Sequence, residues 1–426
     1  MHIVHTDLEI QREPFAHPFG FKGAAFHEKW NLVVRLRDDA QHEAFGLGGL
    51  AVLWADRDVF SAHTETGGNV LMTALLEYAL QQVKRRDYTD PMAILADLLP
   101  QVHDYGKTVT HNPNLRLTFS LISLVALDNA AWMLYARENG IHTFDDLIPL
   151  PYRPYLSHRQ THLASVPLVS YALPMDVVRS VLDSGACILK IKIGQPGSES
   201  EMLCKDIDCL TRIHEAARAC ETPMTDSGKV LYYLDANGRY KKKETIARLL
   251  DHARKIGMLD RILLFEEPFD ETLEVDVTDL PARFAADESL HTVRDINTKI
   301  QQGYGAVALK PAGKTLSLTF QMAAAAAEAG AYCFVADNAC VPTLVEWNKN
   351  VTARLPAFPG VRGGILESNG PETYATWPDL LAAYPIPDAA WLRPRSGAFI
   401  LDNEYYRQSG GIFSDPMPYA KLFRSF

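Results

Sequence analysis

Cysteine, long apolar runs and common zinc or nucleotide motifs are scarce or missing in this 426-residue sequence. Its six cysteines form no CxxC pair, which argues against a disulfide framework or a zinc ribbon and favours reduced thiols. No apolar stretch is long enough to span a membrane, and the start, MHIVHTDLEIQREPF, has no signal-peptide core. We therefore expect a cytoplasmic protein without a transmembrane span or a secretory signal.

Basic residues are outnumbered by acidic ones. The chain has 42 Lys and Arg against 52 Asp and Glu, a formal net charge of −10. This excess argues against non-specific binding to nucleic acid or to an anionic membrane. The 14 histidines show no HExxH pattern or other zinc spacing, so they give no sign of a zinc site.

Short apolar strands alternate with amphipathic helices from about residue 160 onwards. The pair repeats about eight times over about 220 residues, which predicts a parallel (β/α) barrel. A doubly wound open sheet is the alternative, but no GxGxxG follows an early strand. The 426-residue chain is also too long for a single hydrophobic core, so we expect two domains, or one barrel with a smaller satellite. In the mixed α and β region before the barrel, we expect GLAVLWAD as a strand and HPFGFKGAAFHEKW as a mobile loop.

The apolar strands carry charged residues at their last positions. Side chains alternate along a strand, so Lys190 and Lys192 of CILKIKIG share one face, which points inward in a barrel. Active sites of such barrels lie at the carboxyl ends of the strands. Later strands end in further charged or polar residues: Asp235 and Asn237 of LDANG, Glu266 of FEEP, Asp287 and Glu288 of ADES, and Lys310 of LKP.

Three of these residues form a candidate metal site. Asp235, Glu266 and Asp287 come from successive strands, so their carboxylates can meet at one rim. Converging carboxylates repel each other unless a cation lies among them. Oxygen ligands select a hard ion. We predict that these residues bind one Mg²⁺ per subunit, with Mn²⁺ as the alternative.

Two lysines form a candidate acid/base pair. Lys192 and Lys310 come from the second and sixth strands, which lie opposite each other across a barrel mouth. A nearby dication and partial desolvation would lower the pKa of a lysine towards the working pH. A neutral amine can then take the proton α to a carboxylate, while the dication and an ammonium stabilise the enediolate.

The motifs LKIKIG, LDANG, FEEP, ADES and LKP, in this order and spacing, resemble the enolase superfamily. Within it they are similar to the muconate-lactonizing group, which includes dipeptide epimerases, muconate cycloisomerases and o-succinylbenzoate synthases. The resemblance covers residues from about 120 to 370. It implies an α/β fold, a modified TIM barrel of (β/α)7β form with an α+β N-terminal capping domain.

The resemblance also implies a division of the chain. We expect a capping domain over residues 1–125, with lid loops near 17–25 and 50–58 that select the substrate. The barrel with the active site is expected over 126–380. Residues 381–426 are expected to pack back on the capping domain.

Site roles follow from the same resemblance. Asp235, Glu266 and Asp287 are expected as metal ligands, and Lys192 and Lys310 as acid and base. The other candidates lie around them: Lys190 as an electrostatic helper, Asn237 and Glu288 as supports of the ligands, Glu367 as a substrate contact, and Phe19, Phe21 and Trp54 in the lid.

Two strands depart from related patterns. The seventh, AYCFVADN, lacks the histidine of the mandelate racemase group, which disfavours dehydration of sugar acids by a His–Asp pair. The eighth, ILESNG, has Glu367 and Asn369 where dipeptide epimerases carry Asp-x-Asp. An amine-bearing substrate therefore remains open.

We predict an isomerase or lyase that abstracts the proton α to a substrate carboxylate. The favoured reaction is racemisation or epimerisation of an amino acid derivative or dipeptide-like acid. The alternative is a cycloisomerase or an o-succinylbenzoate-type syn-dehydratase that uses the same lysines. More remote alternatives are a Schiff-base aldolase through Lys310 and a non-catalytic binding barrel. The expected partners are a small carboxylic acid and further copies of the chain, with no nucleic acid and no membrane.

Overall fold

The computed structural model describes residues 1–21, 24–171 and 173–423. The first part of the chain forms a three-stranded antiparallel sheet in the order β1-β2-β3, covered on one side by helices. The strands are β1 (Ile3–Phe21), β2 (Ala24–Asp38) and β3 (Glu43–Gly49). The helices are α1 (Val52–Ala55), α2 (Arg57–Val83), α3 (Pro91–Thr110) and α4 (Leu117–Asn139).

Two sequence expectations for this region are wrong. The GLAVLWAD segment is not a strand, because β3 ends at Gly49 and α1 occupies Val52–Ala55. The aromatic segment expected as a mobile loop is the end of a hairpin, since β1 runs to Phe21 and β2 starts at Ala24. Cross-strand pairing, including Phe19 opposite Phe26, overrides the glycine-rich composition.

The barrel sheet follows, in the order β13-β4-β12-β11-β10-β9-β8-β7-β6-β5. All its pairings are parallel except that of β13 with β4. The strands are β4 (His162–Val166), β5 (Leu168–Val169), β6 (Ile188–Lys192), β7 (Leu231–Asp235), β8 (Ile262–Glu266), β9 (Phe284–Ala286), β10 (Tyr304–Leu309), β11 (Tyr332–Val335), β12 (Gly364–Glu367) and β13 (Ala398–Ile400).

Pro167 divides the first barrel strand into β4 and β5. The first part pairs with β12 and the second pairs with β6, so one short segment joins the two ends of the sheet. Proline has no N–H to give to a sheet, but its carbonyl accepts a hydrogen bond from Lys190 N at 3.1 Å. The sheet therefore closes into a ring of eight parallel strands, and the predicted barrel fold is confirmed.

Helices connect most of the barrel strands. The helices of this part of the chain are α5 (Phe144–Leu147), which precedes β4, then α6 (Met175–Asp183), α7 (Glu199–Ala217), α8 (Lys243–Lys255), α9 (Val293–Gln301), α10 (Pro311–Lys314), α11 (Leu316–Glu328), α12 (Pro342–Thr352), α13 (Gly370–Thr373) and α14 (Trp377–Ala382), and finally α15 (Asn403–Gln408), which follows β13. Within the described chain, the segment 267–283 between β8 and β9 has turns in place of a helix. The expected alternation breaks there because this acidic segment with two prolines lacks an apolar helical stripe.

Helix α4 is the central helix between the first sheet and the barrel. It is the one helix in the described ranges that is long and apolar enough to cross a membrane, but 94% of its most apolar window is buried inside the protein. Its single buried acid, Asp128, accepts hydrogen bonds from Leu316 N at 2.9 Å and Ser317 N at 3.1 Å. Asp128 therefore satisfies the first amides of α11, the helix that follows the sixth barrel strand.

The C-terminal segment contacts both parts of the molecule. Its strand β13 extends the barrel sheet beside β4, and the Trp391 carbonyl accepts a hydrogen bond from Lys349 Nζ on α12 at 2.8 Å. Near the end of the chain, the ring of Phe423 lies 5.6 Å from that of Phe45 on β3. The boundaries expected between the three regions stay a prediction.

We expect Gly46→Ala to destabilise the protein. A Cβ at Gly46 on β3 would lie 2.2 Å from Ala126 O and 2.2 Å from Ala130 N, both backbone atoms of α4. The free energy of unfolding should fall by about 3 kcal/mol, the upper range for overpacking. Urea denaturation followed by circular dichroism measures it.

Gly305→Ala is the matched control, because a Cβ at this strand glycine would meet only Arg283 Cγ, at 3.4 Å. Its denaturation curve should stay close to that of the wild type. Equal stability of the two variants would contradict the close approach of α4 to β3.

Candidate active site

A cavity of about 50 Å³ lies at the carboxyl ends of the barrel strands, beneath the first sheet. Most of the residues expected at the site line it: Phe19, Trp54, Lys190, Lys192, Asp235, Asn237, Asp287, Lys310 and Glu367. Sequence reasoning did not assign cavity positions to seven others: Phe26, Ala51, Leu168, Asp337, Asn338, Ala339 and Asn369. The side chain of Phe21 lies outside the described part of the structure.

Lys192 ends the second barrel strand and points into the cavity. Its Nζ donates hydrogen bonds to Asp235 Oδ2 at 2.5 Å and to Asn237 Oδ1 at 2.7 Å. Strand pairing produces these contacts, because Lys192 lies opposite Asp235 on β7. Gly194 then turns the chain away with a φ of 79°, which a glycine adopts without strain. The inward direction inferred from strand alternation therefore holds.

Lys190 lies one layer deeper in the barrel and is almost fully buried, with 3% exposure. Its Nζ is 2.9 Å from Asp235 Oδ2, 2.9 Å from Glu266 Oε2 and 3.0 Å from Glu367 Oε2. The Tyr233 hydroxyl lies 3.2 Å away. Burial disfavours the ammonium, but the surrounding carboxylates outweigh burial and raise the pKa of Lys190 well above its usual range. Lys190 is therefore a permanent positive charge at the centre of the site.

Lys310 closes the opposite side of the cavity. Its Nζ lies 2.7 Å from Asp287 Oδ2 and 4.4 Å from the centroid of the Trp54 ring. Burial opposes its charge, but Asp287 and Glu266 outweigh burial and raise the pKa of Lys310. The lowering of this pKa that is expected beside a bound dication stays a prediction.

A further lysine, Lys314, was missed by sequence reasoning. It lies one helical turn after Lys310, on α10, and its Nζ donates to Asp287 O at 2.6 Å and to Asp287 Oδ1 at 3.4 Å. Burial lowers the pKa of Lys314. The i, i+4 spacing of Lys310 and Lys314, on either side of Pro311, was the signal that could have identified it.

The three expected metal ligands are buried neighbours that face different lysines. Asp235 and Glu266 lie beside Lys190, and Asp287 lies beside Lys310. Over residues 1–21, 24–171 and 173–423, no three Asp, Glu, His or Cys side chains already stand close enough to hold one metal ion.

The chemistry of these donors nevertheless fits a hard cation. Glu266 Oε1 is buried and has no hydrogen-bond partner. Burial, and next the charge of Asp235, raise the pKa of Glu266 well above its usual range, and Asp287 adds to this effect. The acids are thus close enough to repel one another, and oxygen-only donors are those that Mg²⁺ prefers.

Asn237 and Glu267 hold the rim in shape. Asn237 Nδ2 donates to Glu288 Oε1 at 3.1 Å, which links Lys192 to the loop after β9. Glu267, missed by sequence reasoning, accepts from Asp287 N at 2.7 Å. Both Asn237 and Glu267 have left-handed backbones, with φ of 45° and 39°. Such strain persists only where surrounding contacts enforce it, and it concentrates at functional sites.

Glu367 on β12 is fully engaged within the protein. Its Oε2 accepts from Lys190 Nζ and from Asp337 N at 3.1 Å, and its Oε1 accepts from Asn369 Nδ2 at 2.9 Å. Asp337 in turn accepts from Cys340 N at 3.1 Å and Asn369 N at 2.7 Å. These bonds tie the ends of the seventh and eighth strands together, and the expected substrate contact of Glu367 stays a prediction.

Aromatic residues form the side of the cavity under the first sheet. The rings of Phe19 and Phe26, which pair across the hairpin, lie 5.1 Å apart. Phe15 packs against Phe26 at 5.2 Å and against Tyr374, beyond the eighth strand, at 5.3 Å. Trp54 reaches the cavity from α1. The position expected for the lid therefore carries apolar side chains that face the lysines and acids.

Solved structures share this architecture. A mandelate racemase/muconate lactonizing protein from Herpetosiphon aurantiacus has a TM-score of 0.65 at 15% identity, over 94% of this chain and 96% of that one. The chain has the mandelate racemase/muconate lactonizing fold. No protein-family model matches the chain, and no curated protein does.

Two further similar structures were solved with Mg. A dipeptide epimerase from Enterococcus faecalis V583, complexed with Mg and L-Leu-L-Tyr, gives a TM-score of 0.63 at 14% identity, over 88% of this chain and 92% of that one. An L-talarate dehydratase from Polaromonas sp. JS666, complexed with Mg and L-glucarate, gives 0.63 at 15%, over 94% and 92%. The fold thus occurs in both epimerases and dehydratases.

We expect Glu267→Gln to flatten the pH dependence of stability. Burial, and next the charge of Glu288, raise the pKa of Glu267 to about 7. Its contribution to stability is therefore fully present below the pKa of the unfolded chain, near 4.5, and is lost as pH rises through about 7. The variant should gain on the order of 2 kcal/mol relative to the wild type between pH 5 and pH 8.

Urea denaturation in the presence of EDTA at several pH values measures this difference. The exposed Glu215→Gln is the control, and its stability should follow the wild-type pH curve. Parallel pH curves for Glu267→Gln and the wild type would show that Glu267 folds in its charged form.

Proposed function

We propose that this protein is an enzyme that removes the proton α to the carboxylate of a small acid, with Lys192 and Lys310 as its acid/base pair. One observation carries the proposal: both lysines line one cavity, and the three strands between them end in Asp235, Glu266 and Asp287. A site with cations on two sides and acids between them suits a substrate carbon held beside its own carboxylate.

The two lysines come from strands four places apart in a ring of eight, β6 and β10. Strands so related lie on opposite sides of a barrel mouth. A substrate bound between them presents one face of its α-carbon to Lys192 and the other to Lys310. One lysine can then remove a proton and the other can return one to the opposite face, which is racemisation or epimerisation.

Asp235, Glu266 and Asp287 are the residues that would hold Mg²⁺, with Mn²⁺ as the alternative. When bound, a hard dication neutralises the substrate carboxylate and the negative charge that grows as the proton leaves. A dication bound by Asp287 and Glu266 would also neutralise the negative charges that raise the pKa of Lys310. Burial then favours a neutral amine at Lys310, the form that accepts a proton.

The cavity walls support an amino acid derivative or dipeptide-like acid as the substrate. Phe19 and Phe26 offer an apolar surface on the side of the first sheet. Asp337, Asn338 and Asn369 offer hydrogen-bonding groups at the ends of the seventh and eighth strands. A molecule with one apolar substituent and amide or amine N–H groups matches both walls. We also propose that the enzyme is cytoplasmic and homo-oligomeric.

A second candidate is a cycloisomerase or syn-dehydratase. It is favoured by the unlike surroundings of the two lysines: Lys310 is covered by the Trp54 ring at 4.4 Å, whereas Lys192 is bonded to Asp235 and Asn237. One lysine would then act as the base and the other would act as a fixed charge. A similar structure is named as a dehydratase.

Deuterium exchange with D₂O tests the proposal and separates these candidates. Dipeptides, N-acyl amino acids and other α-substituted acids are screened for uptake at the α-carbon. For an epimerase, Lys192→Met should lower the exchange rate of one stereoisomer by about 100-fold or more. Lys310→Met should lower the exchange rate of the other stereoisomer by a similar factor. If both variants instead lose exchange of the same stereoisomer, the second candidate is favoured.

Lys299→Met is the matched control, because Lys299 is 7% exposed but lies outside the cavity, over the Tyr304 ring. It should retain wild-type exchange. Exchange that survives in both Lys192→Met and Lys310→Met would refute the acid/base roles. Borohydride trapping of a substrate on Lys310 would instead indicate the Schiff-base aldolase.

Removal of divalent ions should abolish exchange. After treatment with EDTA, activity should fall to the background rate and return on addition of MgCl₂ or MnCl₂, because the acids between the lysines would otherwise repel the substrate carboxylate. Calcium, which takes longer bonds and more ligands, serves as the comparison ion. Full activity in EDTA would exclude the proposed role of the metal.

A further inference from the structure

The Lys190 ammonium is enclosed by oxygen atoms. Three carboxylates, of Asp235, Glu266 and Glu367, lie 2.9–3.0 Å from its Nζ. The Tyr233 hydroxyl is a fourth oxygen, at 3.2 Å. An ammonium has three N–H donors, so it cannot bond to four oxygens at full strength. The four oxygens thus surround Lys190 Nζ as a cage of ligands surrounds a bound cation.

Two walls of this cage are residues proposed above as metal ligands. Asp235 and Glu266 lie equally far from Lys190 Nζ, at 2.9 Å. An Mg²⁺ ion held by both carboxylates must come within about 2.1 Å of one oxygen of each. The ion and the ammonium would then be close neighbours in a buried site, where like charges repel strongly. The two cations would then share these acids and repel each other, which weakens the binding of both.

Two partners of Lys190 are not among the proposed metal ligands. Glu367, on the eighth strand, contacts Nζ at 3.0 Å and is not among the proposed metal ligands. The face of the Tyr233 ring lies 4.5 Å from Nζ and attracts a cation. A lysine has a flexible four-carbon stem. Its head can therefore leave Asp235 and Glu266 without losing every partner.

We propose that Lys190 is an internal competitor of the divalent ion: it neutralises Asp235 and Glu266, and it shifts towards Glu367 when the ion binds. The inference rests on the proposed metal site and adds a residue that sets its affinity without binding the metal. Because Tyr233 donates to Glu266 Oε2 at 2.5 Å, it keeps that acid oriented in either arrangement. The chain thus weakens its own metal binding.

Binding of Mn²⁺ alone, followed by the loss of its free electron paramagnetic resonance signal, tests the proposal without any substrate. Lys190→Met removes the competing charge and should bind Mn²⁺ about tenfold more tightly or better than the wild type. Lys190→Arg keeps the charge and should show no such gain. Lys299→Met, outside the cavity, should bind like the wild type.

Wild-type crystals grown with and without MnCl₂ keep the test valid if a variant does not fold. The Nζ of Lys190 should move away from both Asp235 and Glu266 once Mn²⁺ is bound. Equal or weaker binding by Lys190→Met, or an ammonium that stays beside both acids with Mn²⁺ bound, would overturn the competitor role alone. Absence of Mn²⁺ binding by the wild type and every variant would overturn the proposed metal site as well.

Discussion

The site depends on one electrostatic constraint, which is that acids buried side by side must be neutralised by nearby cations. Asp235, Glu266 and Asp287 are each at most 2% exposed, and unpaired charges at such depth would destabilise the fold severely. The strand order of the barrel supplies these cations. The lysine strands β6 and β10 flank the three acidic strands, so a positive charge stands at either end of the acidic row. The residues that neutralise one another are thus the same ones proposed above for catalysis.

This constraint extends into the first sheet. Trp54 of α1 covers Lys310, and the ammonium of Lys29 on β2 donates to the Asn338 carbonyl at the end of the seventh strand. The Lys29 side chain runs past Gly49. A larger residue would not fit at position 49, because a Cβ there would lie 2.6 Å from Lys29 Cε. The capping elements therefore complete the polar rim as well as cover it.

The sequence was sufficient for the barrel and for most cavity residues because both follow local rules. Period-two alternation turned Lys190 and Lys192 inward, and a glycine or proline marked the carboxyl end of four strands: Gly194, Gly238, Pro268 and Pro311. What it could not reveal depends on distant partners. The contact of Lys190 with Glu367 joins residues 177 positions apart. The helical form of α1 and the left-handed backbone of Glu267 are likewise set by tertiary packing.

The division of the first barrel strand by Pro167 has a consequence for motion. On this side the ring is joined to β6 by the two residues of β5 and by the hydrogen bond from Lys190 N to the Pro167 carbonyl, whereas β4 is bonded to strands on both of its edges. Within the barrel sheet, amide hydrogen exchange should therefore be fastest where β5 pairs with β6. Leu168, within β5, also forms part of the cavity wall. Brief separation of β5 from β6 would therefore admit water beside Lys190 and the acids that it contacts.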